Sequence, residues 1–194
     1  MYAPPFTHSY NHMCSATDSR ILVVALLDKL SFRPKTDHLI LTGDLISKGP
    51  HSTGVVDLAC NMRASCVRGN HEDRTLLAYR DIHSKNLPLQ GPDEDPQWAA
   101  DDMDEESFSH GDYRDRALAR RLSARQVEWL RECPVILRVG EVARMGEVVV
   151  VHAGLVPGLK LEGQDPVAVM NMRTVDLETH VPSERRDGMA WTKV

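Results

Sequence analysis

The sequence has little cysteine, no basic surplus and no long apolar run. A membrane-spanning helix needs roughly 20 consecutive apolar residues, and no stretch of the chain approaches that length. Its four cysteines are scattered, without a CxxC pair or a secretory signal, which predicts free thiols in a reducing, intracellular compartment. A formal net charge of −5 argues against nucleic acid as a partner.

The length of 194 residues suits a single domain with a sizeable core. Residues 1–19 show no helical or strand period, so we expect an irregular lead before a domain over residues 20–194. Residues 91–110 form an acidic insertion, since Asp93–Glu106 carries acidic side chains without one base. Such a stretch is typical of a solvated segment.

Two short apolar runs are each followed by chemically active side chains. Residues 38–42 predict a buried strand that ends in Gly43-Asp44, and residues 64–67 predict a second strand that ends in Gly69-Asn70-His71-Glu72. A helix capped by Ser52 is expected between them. Parallel strands would bring Asp44 and the Asn70-His71 pair to one edge, where open α/β sheets bind ligands.

The rest of the chain predicts a hairpin and further helices. Strands over 134–139 and 147–151 form the hairpin, and His152 follows its second strand. Helices are expected at four places, the first of them buried: 21–30, 113–122, 123–133 and 167–172. Ser123 is the predicted cap of the third helix.

Each candidate residue also has an ordinary explanation. Asp44 suits a turn or helix cap, and Asn70 after a glycine suits a turn. His71 suits an exposed surface, and His152 suits a core position. Four such residues at the ends of three strands favour a common site.

These blocks resemble those of the calcineurin-like metallophosphoesterases, the superfamily of the PPP-type serine/threonine phosphatases. Gly43-Asp44, Gly69–Glu72 and His152-Ala153-Gly154-Leu155 occur in the family's order. The sequence from Gly43 to Pro50 is similar to that of diadenosine-tetraphosphatase-like and fungal endopolyphosphatase-like members. The resemblance implies an α/β fold, a four-layer α/β/β/α sandwich.

The resemblance also implies a two-metal centre. Its aspartate, here Asp44, bridges two ions, and Asn70 and His152 bind the second one. Oxygen and imidazole ligands suit Mn, Zn or Fe. Two ions about 3.5–4 Å apart clamp a phosphoryl group and activate water.

The remaining roles concern the leaving group and the phosphate. By resemblance, His71 protonates the leaving oxygen. Phosphate binding is assigned to Lys48, Arg68 and Arg74, and the two arginines or Asp73 alternatively orient His71. A lysine at position 48 keeps the charge of the family's arginine but loses its bidentate fork.

Three features of the family pattern are absent. No Gly-Asp-x-His-Gly motif precedes residue 20, so the Asp/His pair of the first metal is missing. No strand ending in Gly-His follows His152. Ser47 replaces the aspartate that pairs with the acid histidine in protein phosphatases. The sequence therefore predicts an incomplete sandwich, truncated at both ends and lacking its first strand and C-terminal strands, with room for only one ion.

Two functions follow from this pattern. The first is metal-dependent hydrolysis of phosphoanhydride or phosphomonoester bonds, with polyphosphate or dinucleoside polyphosphate favoured and phosphoprotein second. The alternative is an inactive remnant or binding protein of the same fold, which the missing ligands favour for this chain. A cytoplasmic and a vacuolar location both stay open, and no oligomeric state is predicted.

Overall fold

The structure is a computed structural model, and it describes residues 20–49, 51–84, 110–176, 178–186, 189–190 and 192. The predicted irregular lead over 1–19 lies outside these residues. So does the acidic insertion, except for its last position, where a helix begins. Within the described part, helices alternate with small sheets, and the predicted α/β class is confirmed.

The first half of the chain forms the predicted parallel pair. Its elements are α1 (Arg20–Lys29), β1 (Ile40–Leu41), α2 (Ser52–Asn61), β2 (Ser65–Cys66) and α3 (Asn70–Ser84). Ile40 pairs with Ser65 and Leu41 with Cys66 in a parallel register. Both strands are shorter than predicted, but the order and direction are those expected.

Two helices and a hairpin follow, also as predicted. They are α4 (His110–Arg121), α5 (Ala124–Glu132), β3 (Ile136–Val142) and β4 (Gly146–Val151). The Ser123 side chain accepts from the N–H of Gln126, and the Gln126 side chain accepts in return from the N–H of Ser123. This capping box satisfies N–H groups that a helix start leaves without partners.

The region after residue 165 needs a correction. The predicted helix is present as α6 (Pro166–Asn171), with Asp165 as its N-cap. Three strands follow where the sequence indicated none, in the sheet order β6-β5-β7: β5 (Thr174–Val175), β6 (Pro182–Ser183) and β7 (Met189–Ala190). Two-residue strands are too short to show an alternating pattern, so only tertiary pairing reveals them.

Two local predictions were wrong. The first helix is not buried, because Ile21 is 73% and Leu22 53% exposed and Leu27 is its one buried residue. Ser52 does not cap α2; His51 occupies that position, and the Ser52 hydroxyl accepts from the Ser47 N–H at 3.2 Å. Which face of an apolar helix is buried depends on the elements that pack against it. A serine near the start of a helix can accept from more than one backbone N–H.

The main core lies between α2, α3, α4 and α5. Ile46, Val56 and Leu130 are completely buried in it, and Val127 and Cys66 pack with them. In the part of the chain that the structure describes, every helix is too short or too polar to span a bilayer.

Replacement of Leu130 by alanine tests this core. We expect Leu130→Ala to lower the free energy of unfolding by about 2–5 kcal/mol, because it leaves a cavity at a completely buried site. Chemical denaturation measures the change. The matched control is Leu77→Ala on α3, where the leucine is 55% exposed and the expected change is within about 0.5 kcal/mol. Equal effects of the two replacements would contradict the burial of Leu130 in the main core.

Candidate metal centre

Asp44, His71 and His152 lie together where three strands end. Asp44 follows β1, Asn70 is the first residue of α3 just after β2, and His152 follows β4. The parallel pairing of β1 with β2 places Asp44 beside the start of α3, and the His71 N–H donates to the Asp44 Oδ1 at 3.4 Å. Asp44 is itself only 8% exposed.

Glu72 connects the two loops that carry these residues. Its Oε2 accepts the backbone N–H groups of Asp44 at 2.8 Å and Gly69 at 2.9 Å, and its Oε1 accepts that of Leu45 at 2.6 Å. The side chain is fully buried. Burial raises the pKa of the Glu72 carboxyl above its ordinary value, and the backbone hydrogen bonds oppose this shift. Sequence reasoning gave Glu72 no role of its own.

Two glycines allow the loops to touch. A Cβ on Gly43 would lie 2.8 Å from the Gly69 nitrogen and 2.9 Å from His152 Nδ1. A Cβ on Gly69 would lie 2.6 Å from Asp44 Oδ1. Gly43 also has a φ of +83°, which disfavours other residues. The chain therefore needs glycine at both positions to bring the strand ends this close.

His152 is oriented by the backbone. Its Nδ1 lies 2.7 Å from the carbonyl oxygen of Thr42, and a carbonyl can only accept, so this nitrogen carries the proton. In the neutral ring Nε2 then carries the lone pair, and this nitrogen lies 3.3 Å from Asp44 Oδ1. Metal-binding histidines usually donate one ring N–H to a carbonyl or carboxylate oxygen and bind the metal through the other nitrogen.

Three cationic or ionisable groups face the Asp44 carboxylate. Lys48 Nζ forms an ion pair with its Oδ2, and His71 Nε2 lies 3.8 Å from the same oxygen. Burial raises the pKa of Asp44, but the hydrogen bond from Lys48 and the charges of His152 and His71 outweigh burial, so this pKa lies below its ordinary value. Asp44 is therefore an ionised acceptor near neutral pH.

His71 is mostly enclosed, with its side chain 18% exposed, and its pKa lies below the ordinary value. Burial lowers its pKa most strongly, and the cations Lys48 and Arg74 add to the effect, while Asp44 opposes it. Arg74 Nη2 lies 3.1 Å from His71 Nδ1. Arg74 thus lies beside His71, as expected for the second of its two predicted roles, orientation of the histidine.

Arg68 points to a different neighbour. Its Nη2 donates to the carbonyl oxygen of Arg131 at 2.7 Å, near the end of α5, and its Nη1 lies 3.4 Å from Asp73. These contacts link α5 to the loop after β2. Phosphate binding by Arg68, Arg74 and Lys48 stays a prediction.

Comparison with known proteins identifies the ancestry of this site. The family model described as calcineurin-like phosphoesterase matches residues 8–193. The chain belongs to this family. Calcineurin-like phosphoesterases depend on divalent metal ions.

The curated relatives are bacterial. The chain is 32% identical over 136 residues to the symmetrical bis(5'-nucleosyl)-tetraphosphatase of Erwinia tasmaniensis, an alignment that covers 69% of this chain and 39% of that protein. The enzyme of the same name from Pectobacterium atrosepticum is 32% identical over 154 residues, 78% of this chain and 44% of its own. The chain thus spans about two-fifths of the length of these relatives.

A solved structure supports the fold. A crystal structure provisionally assigned as a diadenosine tetraphosphatase superposes with a TM-score of 0.65 and 24% identity, over 88% of this chain and 63% of that one. The calcineurin-like fold that the residue blocks predicted is therefore confirmed.

The donor set suits one divalent ion. Ligand atoms about 2.0–2.2 Å from a shared ion lie roughly 3 to 3.5 Å from each other, and Asp44 Oδ1 lies 3.3 Å from His152 Nε2. Asn70 begins α3 beside them. Within the described ranges, no group of three His, Cys, Asp or Glu side chains is arranged to hold a metal.

The buried Glu72 carboxylate leads to a stability prediction. Glu72→Gln turns one acceptor oxygen into an amino group that faces backbone N–H donors. We expect a loss of about 1–3 kcal/mol in the free energy of unfolding, the cost of a buried group left without its partner, measured by chemical denaturation.

Glu128→Gln is the control for this replacement. Glu128 lies on α5 with its side chain 65% exposed and 3.8 Å from Arg131, and exposed ion pairs contribute about 0–1 kcal/mol. If Glu72→Gln were as mild as the control, Glu72 would not hold the loops together.

Proposed function

We propose that this chain hydrolyses phosphoanhydride bonds in a phosphate-containing small molecule with the help of a divalent metal ion. The observation that carries the proposal is the arrangement around Asp44. The free nitrogen of His152 and a side-chain nitrogen of His71 face its two oxygens at 3.3 and 3.8 Å. In this arrangement His152 is the imidazole proposed to bind the metal, and His71 is the one proposed to transfer a proton.

Asp44, Asn70 and His152 are the proposed ligands. Their oxygen and nitrogen donors suit Mn, Zn or Fe. When bound, such an ion polarises the phosphoryl group and makes water a nucleophile near neutral pH. Asp44 is ionised and partly enclosed, as a ligand of a hard cation must be.

His71 is the proposed acid for the leaving oxygen. Its Nε2 faces the Asp44 carboxylate at 3.8 Å, and an N–H on this nitrogen would meet a leaving oxygen beside the proposed metal position. Lys48 is the proposed phosphate-binding residue in the loop after Asp44, and its side chain is 35% exposed.

The substrate class is inferred from the relatives. Dinucleoside polyphosphate is favoured because the relatives are named bis(5'-nucleosyl)-tetraphosphatases. Inorganic polyphosphate shares the same anhydride linkage and is kept as the second substrate, and phosphoprotein is third. The inferred location is intracellular, since Cys60, Cys66 and Cys133 are free in the described part of the chain; the bacterial relatives give no support to a vacuolar one.

The alternative function is binding without turnover. It is favoured by one observation: the described residues supply fewer than three His, Cys, Asp or Glu ligands at any point. A single ion held by Asp44, Asn70 and His152 cannot form a two-metal clamp. In that case the chain would bind a substrate analogue but would not hydrolyse the substrate.

Replacement of Asp44 distinguishes the two functions. We expect Mn- or Zn-dependent hydrolysis of diadenosine tetraphosphate, polyphosphate or p-nitrophenyl phosphate by the wild type, measured as released phosphate or nitrophenol. Asp44→Asn should reduce the rate by at least about a hundredfold, because the metal loses its charged ligand. A chelator should abolish the activity of the wild type reversibly.

Asp28→Asn is the matched control, because Asp28 is exposed on α1. Its rate should equal that of the wild type. Metal-independent turnover, or turnover that survives Asp44→Asn, would contradict the proposed centre. Absence of turnover with retained metal binding would select the alternative.

A further inference from the structure

Asp115 is a buried carboxylate next to the site to which the metal centre assigns no role. It lies on α4 and is 4% exposed. A buried carboxylate is stable only with partners, and two of its partners come from the site. Ser47 Oγ donates to its Oδ1 at 3.4 Å, and Arg74 Nε lies 3.1 Å from its Oδ2.

Arg74 continues the contact to His71. While its Nε faces Asp115, its Nη2 lies 3.1 Å from His71 Nδ1. A guanidinium has only donors, so Nδ1 has to accept. In the neutral imidazole the proton is then on Nε2, which is the nitrogen that faces Asp44 at 3.8 Å.

Asp115 holds the exposed side chain of Arg74 in one conformation. The Arg74 side chain is 48% exposed, whereas that of Asp115 is 5% exposed. A long exposed side chain loses rotamer entropy when it is held in one place, and a fixed ionic partner compensates for that cost. Asp115 comes from α4, more than forty residues further along the chain, so the arrangement depends on the packing of α3 against α4.

We infer that Asp115 is a positioning residue that, through Arg74, keeps the His71 proton on Nε2, the nitrogen directed into the site. The inference rests on the proposed function: when the Nε2–H bond breaks and the leaving oxygen takes the proton, the Arg74 guanidinium at Nδ1 stabilises the imidazolate that remains. It also changes the role of Arg74, from phosphate binding to orientation of the histidine.

The tautomer of His71 is measurable without activity. Long-range proton–nitrogen NMR correlation on the full-length, metal-free chain reports which ring nitrogen carries hydrogen, and the His71 signals are those that disappear in His71→Gln. We expect Nε2–H in the wild type and a mixture of tautomers in Asp115→Asn. Arg74→Met should give the same mixture, and its exposed position makes it the safer variant for folding.

Asp81→Asn is the matched control. Asp81 pairs with Arg116, and this ion pair joins the same two helices, α3 and α4, away from His71. Its loss should leave the His71 tautomer unchanged. If Asp81→Asn alters the tautomer as much as Asp115→Asn, the effect belongs to helix packing and the inference is wrong.

Kinetics give a second readout. We expect Asp115→Asn to lower kcat about ten- to a hundredfold, the usual effect of losing a group that orients a functional histidine. KM should stay unchanged, because only proton transfer is impaired. The loss should be larger for poor leaving groups than for nitrophenol, which departs without protonation.

The results separate this inference from the proposed function. A wild type with its proton on Nδ1, or an unchanged tautomer in both Asp115→Asn and Arg74→Met, overturns the inference. A raised KM with unchanged kcat in Arg74→Met also overturns it and returns Arg74 to phosphate binding. The expected tautomers in a chain without hydrolysis would support the contact from Asp115 to His71 and contradict the proposed function.

Discussion

The arrangement of this site depends on one buried carboxylate that is not a metal ligand. Glu72 accepts three backbone N–H groups, from Asp44, Leu45 and Gly69. These groups belong to two loops that leave neighbouring parallel strands, and such loop donors have few alternative partners in a buried position. By satisfying them together, Glu72 ties the loop that carries Asp44 to the first turn of α3.

The electrostatics of the site follow from that closeness. Because the loops touch, Asp44 lies within reach of Lys48, His71 and His152, and its charge is stabilised in spite of burial. His152 is directed by the Thr42 carbonyl, while His71 is held by Arg74. The partner at Nδ1 therefore differs between the two histidines: a carbonyl acceptor at His152 and a guanidinium donor at His71, which favours different tautomers in the two neutral rings.

The fold is that of the calcineurin-like family, and the candidate centre matches part of the family's pattern. The residues proposed for one metal position, Asp44, Asn70 and His152, lie after their strands or at the start of α3. The chain spans about two-fifths of its curated relatives' length. With a single ion at the proposed position, the chain would separate two properties of a two-metal centre: retention of an ion and activation of water between two ions.

The sequence by itself determined the order of the elements and the candidate ligands. Apolar runs that end in Gly-Asp and Gly-Asn-His-Glu are local signals, and the parallel pairing of two such runs brings their ends to one edge. The capping box of α5 was equally local. Only the tertiary structure decided the roles of Glu72 and Asp115, the exposure of α1 and the short C-terminal strands. Each of these depends on partners distant in sequence, and neither a residue's type nor its spacing records which distant group it will meet.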